Sequence, residues 1–245
     1  MTNAPAVAAN SLPGAPESNQ PIASTIHTIA LLAMLSIWAY FSQAHVNALR
    51  AAAAPNHMLL YLRTMAFEWA MFAFIYYGIR RRGVTLQDLV GPRWTTVRKV
   101  QIDIGIGLGF FAVSVVALAL VGRLLQDTSS LDVVRFMAPS GPAELAMWMV
   151  LSLTAGICEE TIFRGYLQRQ FISWTKVPAV GILVSGAFFG ACHTYQGTKH
   201  AIAIAVQGIL FGILATWRRS LKPGMISHAV QDSIGGIVLS RMVNH

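Results

Sequence analysis

Seven long apolar runs, separated by short polar clusters, dominate the sequence and restrict the folds open to it. A helix needs about 20 mostly apolar residues to cross the hydrocarbon core of a bilayer. Only the fifth and sixth runs fall short of that length. The pattern therefore predicts an all-α, polytopic membrane helix bundle with about seven transmembrane helices. The predicted spans are 21–42, 57–79, 100–122, 143–163, 177–193, 201–217 and 224–243.

The composition excludes several soluble classes of protein. Of the 245 residues, 55% are hydrophobic and only 11% are charged, whereas soluble domains carry about 25% charged residues. The net charge of +8 would suit nucleic acid, but the basic residues lie in short clusters between apolar runs, as in membrane proteins. We therefore expect a lipid bilayer as the surroundings and no nucleic-acid partner. Two cysteines provide neither a disulfide framework nor a zinc-finger spacing.

The chain divides into a tail and one bundle. Residues 1–20 contain Pro, Ala, Asn, Ser and Gly, with Glu17 as the only charged side chain, and this composition predicts a disordered N-terminal tail. Residues 21–245 form the predicted transmembrane bundle. The first apolar run is long and lacks a basic start, which favours a retained helix over a cleaved signal peptide.

The distribution of basic residues predicts the orientation. With the N-terminus inside, twelve of the 18 Lys and Arg residues fall on the inner side and five on the outer side, as the positive-inside rule requires. The inner group is Arg80, Arg81, Arg82, Arg93, Arg98, Lys99, Arg164, Arg169, Lys176, Arg218, Arg219 and Lys222. The outer group is Arg50, Arg123, Arg135, Lys199 and Arg241.

Ionisable residues inside predicted membrane helices are functional candidates, because burying them in lipid is unfavourable. Five of them cluster late in the chain: Glu159, Glu160, His193, His228 and Asp232. Successive helical residues diverge by about 100°, so the two glutamates must face different sides. Glu160 and Arg164 have i,i+4 spacing and can pair, which leaves Glu159 free.

The two histidines of this group lie in different contexts. His193 ends a run in which Gly186 and Gly190 form a small-residue face that allows close helix packing. His228 and Asp232 have i,i+4 spacing and share a face, so they could bind a metal together, or the aspartate could orient the imidazole.

Three other intramembrane ionisable residues receive structural interpretations. His27 in the first helix has no companions and is expected to be structural. Arg63 and Glu68 in the second helix are five residues apart, a poor spacing for a local pair. We expect them to form tertiary salt bridges or interface contacts.

The late cluster resembles the CPBP family of intramembrane endopeptidases, also called the Abi or CAAX-protease family. Its EExxxR motif matches Glu159, Glu160 and Arg164. Its FxxxH motif matches Phe189 and His193, and its HxxxN/D motif matches His228 and Asp232. The resemblance covers roughly residues 143–240, the expected protease core. Three short motifs in the family's order, on membrane helices, make a specific signal.

The resemblance implies an intramembrane protease that hydrolyses a peptide bond of a membrane-associated, prenylated or leader peptide. Glu159 would activate the attacking water, assisted by His193. His228 and Asp232 would complete the site or stabilise the oxyanion. Glu160 would be a further catalytic residue, paired with Arg164. Arg164 and Phe189 would support them. The resemblance also implies a bacterial inner-membrane location, with the active site toward the cytoplasmic leaflet.

Whether the site holds a metal is left open. Both metal-dependent and metal-free glutamate mechanisms have been argued for this family. Zn²⁺ is the metal that two histidines with carboxylates would bind, and the candidate ligands are Glu159, His193, His228 and Asp232. The HExxH arrangement is absent. Asp232 replaces the Asn of the eukaryotic CAAX enzymes and would favour a metal or a charged hydrogen bond.

The predicted spans create one geometric difficulty. His228 lies about 6 Å into its helix and His193 about 24 Å along its own, so the two could not meet if both helices began at the membrane surface. We expect residues 164–177 to stand in the cytosol, so that the fifth helix begins outside the lipid. A separation above about 12 Å between the two imidazoles would exclude a shared water or metal.

Three other functions remain as alternatives. A cysteine protease would use Cys158 or Cys192, each of which immediately precedes a motif residue. A non-enzymatic immunity or scaffold protein would keep the same fold without the chemistry. A transporter could use the acids and histidines as a proton relay, but neither an inverted repeat nor paired broken helices are recognisable in the sequence.

Overall fold

The computed structural model describes residues 20–51, 56–126 and 136–243, and every regular element in these ranges is helical. The predicted all-α class is therefore confirmed, while the predicted tail lies outside the described residues apart from Gln20. The α-helices are α1 (Thr25–Ala51), α2 (His57–Arg80), α3 (Leu86–Val90), α4 (Val97–Leu124), α5 (Pro142–Glu159), α6 (Gln168–Thr175), α7 (Pro178–Cys192), α8 (Thr198–Arg218) and α9 (Lys222–Val243). A π-helical segment, Glu160–Leu167, joins α5 to α6, and a 3₁₀ turn, Thr194–Gln196, separates α7 from α8.

Five helical segments of the described chain are long and apolar enough to cross a membrane. They are Thr25–Ala48, His57–Arg80, Val97–Leu124, Pro142–Thr175 and Thr198–Arg218. The chain is thus an integral membrane protein, but the predicted count of seven spans is not confirmed. Helix α7 has only 15 residues, and the charged and imidazole side chains of α9 lower its hydropathy.

Polar contacts near the start of α2 show which helix ends lie together. His57 Nδ1 lies 2.8 Å from Glu144 Oε2 in the first turn of α5. The hydroxyl of Tyr61 donates to the carbonyl of Met137 at 2.6 Å, and its ring lies 5.4 Å from that of Trp148. Helices α2 and α5 therefore begin at the same end of the bundle and run in the same direction.

At the opposite end, α3 and the following loop contact the connection between α8 and α9. The amide of Leu221 donates to the carbonyl of Val90 at 3.0 Å. Asp103 accepts from Arg218 at 3.1 Å and from the indole of Trp94 at 2.8 Å. These contacts fix the start of α9, which carries two of the predicted site residues.

The prediction that segment 164–177 stands exposed in the cytosol is wrong for the side-chain amides of its two glutamines, Gln168 and Gln170. Gln168 donates to the carbonyl of Gly212 at 3.1 Å, and Gln170 donates to the carbonyl of Ala23 at 3.1 Å. Both glutamines are buried. Their side chains satisfy backbone groups of α8 and of the chain before α1, and buried polar groups require such partners.

The small-residue face of α7 packs closely against α8, as expected. A Cβ added at Gly186 would lie 2.8 Å from the backbone nitrogen of Ile209, and one added at Gly190 would lie 2.5 Å from the carbonyl oxygen of Ala201. Gly208 meets Gly186 from the other side, where an added Cβ would lie 3.0 Å from the Gly186 Cα. This packing places the end of α7, and therefore His193, against α8.

Candidate active site

Two adjacent glutamates lie where α5 passes into the π-helical segment. Glu159 is the last residue of α5, and Glu160 is the first of the π segment. Their side chains face different sides: the Glu159 side chain is 17% exposed and the Glu160 side chain only 1%. One carboxylate therefore borders an accessible space, and the other is enclosed by protein. Single π turns within α-helices occur frequently at functional sites.

The enclosed carboxylate forms the centre of a buried polar network. Glu160 Oε1 accepts a hydrogen bond from Arg164 Nη1 at 3.0 Å and lies 3.0 Å from His228 Nδ1. The Arg164 guanidinium lies over the rings of Phe189 and Phe211, at 4.3 and 5.2 Å from their centroids. The predicted i,i+4 pair of Glu160 and Arg164 is thus present. The Glu160 carboxylate also contacts His228 of α9. Arg164 is buried, not exposed at a cytosolic surface.

The other side of the His228 ring faces two further carboxylates. Because an ionised Glu160 can only accept, Nδ1 of His228 is the donor in that contact. Its Nε2 lies 3.6 Å from Glu159 Oε2 and 3.6 Å from Asp232 Oδ2. Both separations are too long for direct hydrogen bonds. A small polar molecule on the open side could bond to these groups together.

His193 approaches from the end of α7. Its Nδ1 donates to the carbonyl of Phe189 at 2.8 Å, which leaves Nε2 without a proton in the neutral ring. The Phe189 ring centroid lies 4.7 Å from that of His193 and 6.3 Å from that of His228. The two imidazole centroids are therefore no more than 11.0 Å apart, the sum of these distances. This satisfies the limit of about 12 Å set above.

One cavity of about 870 Å³ joins four of the predicted residues. Its lining includes Glu159, His193, His228 and Asp232, together with aromatic and aliphatic side chains of α1, α2, α4, α5 and α8. This volume falls in the usual range for ligand-binding clefts. The structure therefore brings together residues from α5, α7 and α9 that lie up to 73 positions apart in the sequence.

Several predicted residues lie outside the lining of this cavity. Glu160 and Arg164 are buried and do not line it, whereas Phe189 does. Cys158 is fully buried in the hydrophobic core. Cys192 lines a separate, smaller pocket with residues of α1. Neither thiol borders the space that the acids and imidazoles share.

Comparison with protein families identifies the part of the chain that contains this site. Residues 141–234 match the family model described as type II CAAX prenyl endopeptidase, Rce1-like. Over these residues the chain is similar to the Rce1-like family. The resemblance drawn from the three motifs is thereby confirmed. Neither a curated protein nor a solved structure matches the chain significantly.

The Rce1-like family is a family of proteases, and its match supports an intramembrane protease of the CAAX type. The matched segment spans α5 through most of α9 and contains all seven residues of the three motifs. Helices α1, α2 and α4 also line the cavity but lie outside the match.

The four predicted metal ligands do not converge as a coordination set in this structure. Among the described residues, no group of three or more His, Cys, Asp or Glu side chains is arranged to hold one. The predicted candidate ligands Glu159, His193, His228 and Asp232 therefore surround a cavity without forming a coordination set. Nδ1 of His228 is engaged with Glu160 and Nδ1 of His193 with a carbonyl, which leaves Nε2 free in each ring. Metal-binding histidines have the same arrangement.

The structural interpretation of His27 agrees with its contacts. Its Nδ1 lies 2.7 Å from the hydroxyl of Tyr166, and its Nε2 lies 3.0 Å from the carbonyl of Phe74. Both ring nitrogens are thus used in joining α1 to α2 and to the π segment.

The expectation that Arg63 and Glu68 form tertiary salt bridges is wrong, and the alternative of interface contacts stays a prediction. Neither forms an ion pair within the described part of the chain, and both line the cavity. Glu68 is the residue that sequence reasoning passed over. A buried acid in a membrane helix is a functional candidate by default. The position of Glu68 within the second apolar run therefore marked it as a candidate, although it belongs to no motif.

Proposed function

We propose that this protein is an intramembrane endopeptidase that uses glutamate- and histidine-activated water. The observation that carries the proposal is the division of the two glutamates: Glu159 borders the cavity, whereas Glu160 is tied beneath it to Arg164 and His228. Glu159, the more exposed acid, activates the water. Glu160 and Arg164, the buried pair, hold the site in place.

In the first step, a water molecule against the Glu159 carboxylate gives up a proton to it and adds to the scissile carbonyl carbon. General base catalysis of this kind contributes about 10²–10⁴ in rate. Nε2 of His193, which lacks a proton in the neutral ring, accepts a hydrogen bond from the water's second O–H, which stays on the oxygen, and so orients the attacking lone pair. The His193–Phe189 hydrogen bond fixes the ring for this role.

The same step develops negative charge on the carbonyl oxygen. His228 lies against Glu159, Glu160 and Asp232, and this surrounding negative charge stabilises its imidazolium form. As an imidazolium it donates Nε2–H to the oxyanion, the arrangement that stabilises tetrahedral intermediates. Asp232 adds negative charge 3.6 Å from Nε2 of His228, and its own backbone is held by a hydrogen bond of 2.8 Å from the indole of Trp148 to its carbonyl.

The substrate class follows from the family and from the cavity. A space of about 870 Å³ within membrane-spanning helices admits an extended peptide segment, and the Rce1-like match favours a membrane-associated peptide such as a prenylated or leader peptide. The distribution of basic residues supports an orientation with the N-terminus inside, while the bacterial inner-membrane location and the site toward the cytoplasmic leaflet stay predictions.

The test uses purified protein in lipid nanodiscs with prenylated and unprenylated peptides, and compares membrane peptides from cells carrying the wild type or Glu159→Gln. We expect wild-type cleavage and a loss of about 10²–10⁴ in kcat for Glu159→Gln. Glu144→Gln is the matched control, since Glu144 lies in the same helix but pairs with His57 away from the cavity.

Three outcomes would replace the proposal. Equal cleavage by wild type and Glu159→Gln would remove the assigned base, and an intact cellular role in that variant would favour an immunity or scaffold protein. Loss of activity in the double variant Cys158→Ala, Cys192→Ala would favour the alternative of a cysteine protease. Activity that a chelator abolishes and Zn²⁺ restores would establish the metal-dependent alternative, which stays a prediction.

A further inference from the structure

A third carboxyl group faces the cavity from α2. Glu68 is 6% exposed and lines the same cavity as Glu159 and Asp232. It is close enough to both for their charges to interact. It lies outside the matched residues 141–234, and none of the steps above uses it.

One oxygen of this carboxyl group is left without a partner. Glu68 Oε2 is buried and has no hydrogen bond among the described residues. The charged groups that act on it most strongly are the acids Glu159 and Asp232, and Cys158 and Tyr195 also lie within electrostatic range. None of these side chains supplies positive charge.

These surroundings favour the neutral acid at Glu68. An unpaired buried carboxylate is strongly disfavoured, and neighbouring carboxylates disfavour it further. A neutral carboxyl group avoids both effects and has an O–H to donate. Carboxyl groups whose environments hold them in different protonation states are the usual pattern for an acid and a base in one active site.

We propose that Glu68 is the acid that protonates the departing amine when the peptide bond breaks. This role rests on the proposed function, because it needs Glu159 as the base that takes the proton of the attacking water. When the C–N bond breaks, Glu159 holds the proton taken from water. Glu68 adds a second proton donor to the same cavity, from α2, and this donor is neutral before the reaction begins.

The proton balance of the cycle is closed. Glu159 takes one proton from water while the water oxygen bonds to the carbonyl carbon. The tetrahedral intermediate then collapses, the C–N bonding pair moves to nitrogen, and nitrogen takes the proton of Glu68. The proton on Glu159 finally moves to the Glu68 carboxylate through cavity water. One water is consumed, one acid and one amine are released, and both side chains return to their starting forms.

The test compares two leaving groups. Wild type and Glu68→Gln are given a peptide with a scissile amide and the same peptide with a scissile thioester, whose thiolate departs without a proton. We expect kcat on the amide to fall by about 10²–10⁴ in the variant with little change in KM. The thioester should keep most of its wild-type kcat.

The matched control is Glu144→Gln, the same change of an acid to its amide on α5. Glu144 does not line the cavity, and its carboxylate pairs with His57 at 2.8 Å. We expect this variant to cleave both substrates at the wild-type rate. Glu159→Gln, in contrast, should lose both, because both bonds need an activated water.

Equal losses on amide and thioester in Glu68→Gln, or an unchanged rate on the amide, would overturn the role of Glu68. Full activity of Glu159→Gln on both substrates would instead overturn the proposed function. If Glu68→Gln fails to fold, Glu68→Asp is compared on the same substrates, since it keeps the acid but shortens its reach. A loss confined to the amide then supports the proposal, and equal losses overturn it.

Discussion

Replacing Gly190 by alanine tests how closely α7 must approach α8. The added Cβ would lie 2.5 Å from the carbonyl oxygen of Ala201 and 2.6 Å from the Cβ of Ala205, whereas ordinary contact begins at 3.4 Å. The shortfall to the oxygen is 3.4 less 2.5, or 0.9 Å. Because the obstructing atom belongs to the backbone, no side-chain rotation relieves it, and the two helices must separate.

This separation should affect both stability and activity. Inserting a methyl group into a well-packed interface typically lowers the free energy of unfolding by about 1–3 kcal/mol. His193 lies three residues beyond Gly190, at the end of the displaced helix. A shift of about 1 Å in a catalytic group can lower kcat by about 10². We therefore expect both losses in Gly190→Ala.

Gly109→Ala provides the matched control. Gly109 lies in the middle of α4, and an added Cβ there meets no atom within 4 Å. The control should gain about 0.5–1 kcal/mol, the usual advantage of alanine over glycine in a helix. Denaturant titration of both variants in detergent, followed by circular dichroism, measures the difference. If Gly190→Ala is as stable as Gly109→Ala, the packing argument is refuted.

Two further predictions concern charges. Glu160→Gln leaves the Arg164 guanidinium buried without its counter-charge, so the same titration should show a loss of about 3–5 kcal/mol. Acid should also weaken α3, because hydrogen bonds from the backbone N–H and the hydroxyl of Thr85 lower the pKa of Asp88. The cap then stabilises α3 fully above the ordinary Asp pKa of about 3.9, and this stabilisation is lost as the pH falls through the lower folded-state pKa. Amide hydrogen exchange of α3 should show this pH dependence, and Asp88→Asn should remove it.

Hydropathy and helical spacing predicted the local parts of the site. Long apolar runs gave the helices and their order, with ends within a few residues of those observed for most of them. The i,i+4 spacing of Glu160 and Arg164 gave an ion pair, observed at 3.0 Å. The same spacing placed His228 and Asp232 side by side, at 3.6 Å.

Contacts between distant segments could not be predicted in the same way. The approach of His228 to Glu160 joins residues 68 positions apart, and no periodicity encodes it. The packing of Arg164 against two phenylalanine rings from other helices is likewise a contact between distant segments. The prediction for Glu68 considered only its spacing from Arg63 along the sequence. In the folded protein its charged neighbours are Glu159 of α5 and Asp232 of α9.

Because the two adjacent glutamates have different surroundings, substitution of Glu160 should mainly lower stability, and substitution of Glu159 should mainly lower activity. The Glu160 carboxylate is held by donors from Arg164 and His228, so its charge is satisfied by protein. Within the described residues no hydrogen bond reaches the Glu159 carboxylate, since His228 Nε2 stops at 3.6 Å. The oxygens of Glu159 must therefore find their donors in the cavity, from water or substrate.

Two single variants test this separation. Glu159→Gln should lower kcat by about 10²–10⁴ while the free energy of unfolding stays close to that of the wild type, because no direct hydrogen bond holds its carboxylate and His228 keeps the charges of Glu160 and Asp232. Glu160→Gln should lose stability first and activity only as a consequence, because His228 is then no longer held by a carboxylate. Activity and denaturant titration are measured on both proteins in the same nanodiscs. A Glu159→Gln protein that unfolds as readily as Glu160→Gln would mean that both acids are structural, and the water-activating role would have no residue left to perform it.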